Sequence, residues 1–374
     1  MRNKYLIITL KITAIITGVL AILIASALFN SHSAPLSFNP PPKPTFTGKL
    51  MRDSSLMAAS TIPLGGYFGP EDFAWKAGYL YSGARSGKGE FHKDGAILKT
   101  NVKTGQVELF AKLPAWVGAI HFAPDGQLIV AAIGKGIMSV DSLGNTALLA
   151  SHDVENNPFK IPNDIDISKN GKIYFSVTSH EYTFSIPAMV KIMAEARPVG
   201  GIYCYDPETK TVETISKGFL GINGISLTQD ESAIIAVEMG AYRLTKVWLK
   251  GSKKGKREII ASNLPGFANN IVRRENGTFW LAFSSSRIDD VDNIHPHPFI
   301  KKIVLGLPEA LKPQPLPFGL LLQVDENGTI LKSHHDPFGE VIGEISSVYE
   351  RGDSLYLGGD FLDHINVLDI SGWH

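Results

Sequence analysis

The sequence lacks the features on which several common classes of function depend. Its single cysteine, Cys204, excludes an intrachain disulfide framework and a cysteine-rich zinc site. Lys and Arg together number 36, as do Asp and Glu, so no excess of basic charge favours nucleic acid. The chain also contains no serine-centred nucleophile elbow, no phosphate-binding loop and no dinucleotide fingerprint. We therefore expect neither nucleic-acid binding nor nucleotide chemistry.

Only one long apolar run is present, and it lies at the N-terminus. Residues 5–29 are almost continuously apolar, which is long enough to span a bilayer. The run exceeds the roughly 7–15 residues of a cleavable signal peptide, although Ala25-Ser26-Ala27 resembles a cleavage site. We therefore predict an uncleaved signal anchor at residues 1–30. Because basic residues precede most of the run, the N-terminus should be cytoplasmic and the rest periplasmic, lumenal or extracellular.

A proline-rich segment and a folded domain follow the anchor. Residues 31–50 contain the run Pro40-Pro41-Pro42-Lys43-Pro44, whose fixed backbone angles favour an extended linker. The 44% of hydrophobic residues in the chain is typical of a globular protein with a large core. We therefore predict an anchor, a linker and one folded domain over residues 51–374.

A short pattern, in which small polar residues precede an apolar strand start, recurs six times in the domain. The copies are Glu71-Asp72-Phe73-Ala74, Gly118-Ala119-Ile120-His121, Asn163-Asp164-Ile165-Asp166, Asn223-Gly224-Ile225-Ser226, Asn269-Asn270-Ile271-Val272 and Ser346-Ser347-Val348-Tyr349. Hairpin-turn residues such as Asp125-Gly126, Asn170-Gly171 and Asn276-Gly277 follow at a similar offset. With a second hairpin between copies, each unit supplies about four strands. Such units, repeating every 40–50 residues or so, are typical of β-propellers. We predict an all-β fold, a six-bladed β-propeller, with residues 51–65 supplying the strand that closes the ring.

Two insertions interrupt the repeat. Residues 185–197 and 299–311 carry apolar residues at helical spacing, which predicts short amphipathic helices. These helices either cover blade edges, form a lid over one mouth of the central channel, or present an apolar face to the membrane.

One position of the repeat indicates a cation site. The innermost strand of each propeller blade lines the axis, so equivalent residues of the six copies should face a common centre. This position contains Glu71, Gly118, Asn163, Asn223, Asn269 and Ser346. A single Asn at a strand entry usually caps a turn. Four carboxylate or amide oxygen donors at one phase of the repeat instead favour a hard cation such as Ca²⁺ over a transition metal.

The motifs also carry a resemblance to a known family. The segments 69–72, 162–164, 173–176, 200–206, 223–224 and 264–270 resemble the strictosidine synthase-like family, and within it the branch of adipocyte plasma-membrane-associated protein, over about residues 55–370. The wider superfamily, with gluconolactonase, regucalcin and paraoxonase, consists of six-bladed propellers with an axial divalent cation. The resemblance implies a cofactor of Ca²⁺ or another divalent cation, with the metal ligands Glu71, Asn163, Asn223, Asn269 and Asn270.

The sequence departs from the relatives at positions that carry their chemistry. The catalytic glutamate of plant strictosidine synthases falls on Ser346, and Glu344 lies two residues away in a predicted strand, which argues against amine–aldehyde condensation. The first histidine of the paraoxonase dyad falls near Gly118, whereas His121 should project to the other side. At Asn269, related hydrolases have an aspartate; an amide can coordinate metal but is no general base.

Three functions remain open on these grounds. We predict a membrane-anchored, calcium-dependent hydrolase of small esters or lactones, of arylesterase or lactonase type, with Glu71 as the only ring carboxylate and Glu71 and His121 as catalytic candidates. The alternative is a non-catalytic anchored binding module with a structural cation. Condensation of the strictosidine synthase type is third. The expected partners are a small-molecule substrate and the membrane, through the N-terminal helix; no protein partner is indicated.

Overall fold

The computed structural model, which describes residues 2–87 and 94–373, contains six four-stranded antiparallel sheets. In each sheet one edge strand contacts the corresponding edge strands of the two neighbouring sheets, so that six strands form an inner ring around an axis. The predicted six-bladed propeller is confirmed.

The blades are numbered here in chain order. In each blade the strand given first belongs to the inner ring. The first blade comprises β2 Phe73–Lys76, β3 Tyr79–Arg85, β4 Gly95–Asn101 and β5 Gln106–Leu113, and the second comprises β6 Val117–Phe122, β7 Leu128–Ala132, β8 Gly136–Val140 and β9 Thr146–Ala150. The third comprises β10 Pro162–Ile167, β11 Ile173–Val177, β12 Gly200–Asp206 and β13 Thr211–Phe219. The fourth blade comprises β14 Ile222–Leu227, β15 Ala233–Glu238, β16 Arg243–Trp248 and β17 Arg257–Ala261, and the fifth comprises β18 Gly266–Arg273, β19 Phe279–Ser286, β20 Gly319–Val324 and β21 Ile330–Asp336. The sixth comprises β22 Ser347–Arg351, β23 Ser354–Gly358, β24 His364–Asp369 and β1 Ser60–Pro63.

The ring closes through the first strand of the domain. Strand β1 pairs with β24 as the outermost strand of the last blade, with Ile62 opposite Ile365. Both isoleucines are buried. The prediction that residues 51–65 supply the closing strand is confirmed.

Buried aspartates join neighbouring inner strands. Asp72 Oδ2 accepts a hydrogen bond from Ile120 N at 2.9 Å, and its Oδ1 accepts one from Ser347 Oγ at 2.9 Å. Asp164 Oδ2 similarly accepts one from Ile225 N at 2.6 Å. Asp72 and Asp164 thus satisfy buried backbone and hydroxyl donors of neighbouring blades, which have no access to water.

Among residues 2–87 and 94–373, four α-helices lie outside the blades: α1 Arg2–Asn30, α2 Ile186–Glu195, α3 Asp289–Ile294 and α4 Pro298–Leu305. In the described chain, α1 is the one helix long and apolar enough to cross a membrane. Ser185 caps α2 by accepting a hydrogen bond from Ala188 N. Helices α2 and α4 fall in the predicted insertions.

The proline-rich segment has no helix or strand over residues 31–47, and it packs against the insertion helices. Leu36 N donates to Glu195 O at 2.8 Å, and Phe38 N donates to His295 O at 3.1 Å. The segment therefore has fixed contacts and is more than a spacer.

Candidate metal centre

The mouth of the axis at which the inner strands begin contains a cavity of about 120 Å³. Four of the predicted ligands line it, each from a different blade: Glu71, Asn163, Asn223 and Asn269. Gly118 of the second blade lines the cavity as well. Five of the six residues at the repeat position thus line one cavity, and Ser346 is not among the lining residues.

The oxygens around this cavity have no hydrogen-bond partner in the part of the chain that the structure describes. These atoms are Glu71 Oε2 and the Oδ1 atoms of Asn163, Asn223 and Asn269. Each of the four residues is at most 5% exposed. A buried polar atom without a hydrogen-bond partner lowers the stability of the folded state. Four such oxygens around one cavity form a donor set that fits a hard cation, which would supply the missing interaction.

Irregular strand pairing explains how adjacent residues reach the axis. The pairing of β10 with β11 shifts register between Pro162 and Ile165, and that of β18 with β19 shifts between Ala268 and Ile271. Such bulges change the direction of side chains and are common next to functional sites. A Cβ atom on Gly224 would lie 2.6 Å from Asn270 Cα, so glycine is required where the fourth and fifth blades approach each other.

A second carboxylate, Asp360, also lines the cavity, from a loop outside the ring of repeat positions in which Glu71 is the only carboxylate. Burial raises the pKa of Glu71 well above its usual range, and the nearby charge of Asp360 raises it further. Burial and Asp360 likewise raise the pKa of Glu344 to about 7. Fully buried Arg85 interacts electrostatically with all three carboxyl groups. Glu344 precedes β22, so the prediction that it lies in a strand is wrong.

Loops that join the second and third strands of four blades run along this mouth. Cavity residues from these loops include Ile133 of the second blade, Met239 of the fourth and Asp360 of the sixth. The third blade contributes Phe184, Ile186 and Met189 from the insertion that contains α2. The signal that could have identified Asp360 is its position directly after the second strand of the last blade.

The remaining candidates lie elsewhere. His121 lines a separate cavity of about 330 Å³ together with Asp72, Asp164 and Asp166. It lies further along its inner strand than Gly118, so the structure does not bring it to Glu71. Asn270 is buried beside Asn269, and neither polar atom of its amide has a partner among the described residues. Ser346 Oγ lies 3.5 Å from the carbonyl oxygen of Glu71.

The chain matches two family models, one described as strictosidine synthase over residues 163–252 and one as the N-terminal part of strictosidine synthase-like proteins over residues 48–88. Over these segments the chain is similar to strictosidine synthase-like proteins. Among relatives of this propeller, adipocyte plasma membrane-associated protein of Bos taurus is 28% identical over 347 residues, which cover 87% of this chain and 81% of that protein. Strictosidine synthase-like 3 of Arabidopsis thaliana is 31% identical over 252 residues, or 66% of this chain and 64% of that protein.

Solved structures share the fold of this propeller. A gluconolactonase from Xanthomonas campestris superimposes with a TM-score of 0.58 at 15% identity, covering 84% of this chain and 91% of that one. Regucalcin from Agrobacterium tumefaciens, a calcium-binding protein, superimposes with a TM-score of 0.55 at 14% identity, covering 83% and 93%. At this level of identity the likeness establishes the architecture.

Proposed function

We propose that this strictosidine synthase-like propeller binds calcium and hydrolyses small esters or lactones. The observation that supports the proposal is the set of four buried, unpartnered oxygens on Glu71, Asn163, Asn223 and Asn269 around one cavity. These side chains would bind the ion. Asn270, which does not line the cavity, is a further candidate because its buried amide has no partner among the described residues.

The donor chemistry favours calcium over a transition metal. Three of the four oxygens belong to neutral amides, which are ordinary ligands of Ca²⁺ and poor ligands for softer ions. Within the described residues, no group of three or more His, Cys, Asp or Glu side chains could bind a metal. Proteins named gluconolactonase and calcium-binding regucalcin share the fold, which agrees with this choice.

The chain provides further groups for hydrolysis. When bound, the cation would polarise the carbonyl group of an ester or lactone. Asp360 is the carboxylate beside Glu71, and in its ionised form it can accept a proton from water. Trp116, Phe184 and Met189 form an apolar wall that would pack against the organic part of the substrate. The volume of about 120 Å³ restricts the group inside the cavity to a small one.

We also propose that α1 anchors the protein in a membrane, with the N-terminus cytoplasmic and the propeller periplasmic, lumenal or extracellular. The apolar surface of α1, exposed from Tyr5 onward over most of its length, supports this arrangement. The proposed substrate is a small molecule.

The experiment is an assay of the full chain in detergent with aryl acetates and with γ- and δ-lactones, in calcium and after chelation with EGTA. We expect hydrolysis that needs calcium and that falls at least tenfold in Glu71→Gln. The matched control is Glu208→Gln, which makes the same chemical change in an exposed turn. Hydrolysis that is unaffected by both EGTA and Glu71→Gln would contradict the proposal.

The non-catalytic binding module gives a different result in the same experiment. Calcium would then raise the Tm of the wild-type chain but not of Glu71→Gln, because only the folded state binds the ion, while every hydrolysis assay would be negative.

A further inference from the structure

Two insertion helices present apolar side chains to solvent on the side of the propeller that contains the candidate site. Phe299 is 64% exposed and Ile300 is 42% exposed on α4, and Ile186 and Val190 are each 38% exposed on α2. We call these four residues the apolar surface. Large apolar side chains grouped on short helices usually mark an interaction site.

The apolar surface adjoins the end of the N-terminal helix. Helix α1 contacts α4, and Ala27, in its last turn, is buried. A Cβ atom on Gly306, which follows α4, would lie 1.8 Å from the carbonyl oxygen of Ala27. The backbones of the two helices therefore meet without an intervening side chain.

Buried charged groups fix the segment that follows α1 to the insertion helices. Fully buried Lys301 of α4 donates to Leu36 O, and fully buried Glu195 of α2 accepts from Ala34 N at 2.9 Å. Further along, Arg287 donates to Pro41 O at 2.7 Å. With these contacts in place, the propeller cannot turn freely relative to α1.

We propose that α2 and α4 lie in the headgroup layer of the bilayer that α1 crosses, with the apolar surface in contact with lipid. The occupant is a lipid bilayer because the surface is continuous with α1, whose apolar side chains are exposed almost all the way round. The last turn of a spanning helix lies at the membrane interface, and α4 contacts that turn. Ile186 belongs both to the apolar surface and to the cavity wall, so the candidate site opens beside the bilayer.

This inference depends on α1 crossing a bilayer, but it does not depend on hydrolysis. The experiment uses the full chain, with Cys204 replaced by alanine, in phosphatidylcholine nanodiscs with or without spin-labelled lipid. A single cysteine carrying an environment-sensitive fluorophore is introduced by Phe299→Cys, Ile16→Cys or Leu143→Cys. Leu143 is 84% exposed in the turn between β8 and β9, at the opposite end of its blade, and is the matched control.

We expect spin-labelled lipid to quench the probes at positions 299 and 16 at least threefold more than the probe at position 143. If the probe at position 16 is quenched but the probe at position 299 is quenched no more than the probe at position 143, then α1 is an anchor and the inference is wrong. If the probe at 16 is not quenched, the anchor itself is wrong and the inference falls with it. Hydrolysis of esters is not measured, so the proposed enzymatic function is not at stake.

A second variant tests whether the contact between α1 and α4 sets this position. Gly306→Val places a side chain against Ala27, whereas Gly372→Val adds one where no atom lies within 4 Å. We expect Gly306→Val to reduce quenching at position 299 at least twofold without changing it at position 16, and Gly372→Val to change neither. Unchanged quenching at 299 in Gly306→Val, with the same Tm, would contradict the role of this contact.

Discussion

Asp360 of the last blade and Glu71 of the first line one cavity, and their carboxyl groups interact electrostatically across the junction between these blades. This junction exists because β1 completes the last blade, which brings the two ends of the domain together. The candidate site therefore depends on closure of the ring. The site combines oxygens at the repeat position of several blades with the carboxylate of Asp360, which lies in the loop between β23 and β24.

Asp360→Asn should separate hydrolysis from cation binding. The amide keeps the shape of the side chain and an oxygen, but it cannot accept a proton from water at neutral pH. We expect kcat for aryl acetates to fall about 100-fold, within the range for loss of a general base, while calcium still raises the Tm. The control is Asp290→Asn, in the exposed first turn of α3. Hydrolysis at the wild-type rate would exclude Asp360 as the base.

The closing strand can be tested with two isoleucines that both lie on outermost strands. Ile62 is 9% exposed on β1, whereas Ile259 is 55% exposed on β17. Ile62→Ala should lower the free energy of unfolding by about 3 kcal/mol, because it removes buried methyl groups and leaves a cavity. Ile259→Ala should change it by less than about 0.5 kcal/mol. Equal effects in urea denaturation would mean that β1 does not close the ring.

Gly224→Ala should disturb the candidate site through the backbone. Its added methyl group would approach Asn270 Cα to 2.6 Å and Asn269 O to 2.8 Å. We expect a loss of stability of about 1–3 kcal/mol, as for overpacking, together with weaker calcium binding. Gly372→Ala, in open space, is the control. Unaltered calcium affinity in Gly224→Ala would show that this contact does not position the amides.

Acid should lower the free energy of unfolding, in part through protonation of Asp153. Burial alone would raise the pKa of this carboxyl group, but hydrogen bonds from Asn157 and Lys217 outweigh it and lower the pKa to about 2. The lowered pKa stabilises the folded state by about 2 kcal/mol at neutral pH, and this contribution disappears as the pH falls from 3.8 to 2. Asp153→Asn should therefore be destabilised at pH 7 and should differ less from wild type near pH 2. Urea denaturation at both pH values measures this, and a difference independent of pH would contradict it.

The sequence predicted those parts of the structure that recur. Asn163, Asn223 and Asn269 could be placed at one centre because each occupies the same position before a core residue, and the hairpin turns showed how many strands each unit contains. Asp360 and Glu344 could not be found in this way, since loops have no period and their neighbours depend on tertiary packing. His121 was named as a catalytic candidate with Glu71 because of the resemblance to paraoxonase. The alternation of side chains along its strand nevertheless predicted that it projects to the other side. The contacts of Lys301 and Glu195 with the proline-rich segment join positions far apart in sequence, and composition alone describes that segment only as extended.

Calorimetric titration of the full chain in detergent with Ca²⁺ tests the central claim most directly, namely that side-chain oxygens of separate blades bind one axial cation. We predict one site per wild-type chain, with affinity lost in Glu71→Gln of the first blade and in Asn223→Ala of the fourth, and retained in Glu208→Gln. A wild-type chain that binds no calcium, or binding that survives both substitutions at the cavity, would contradict the account.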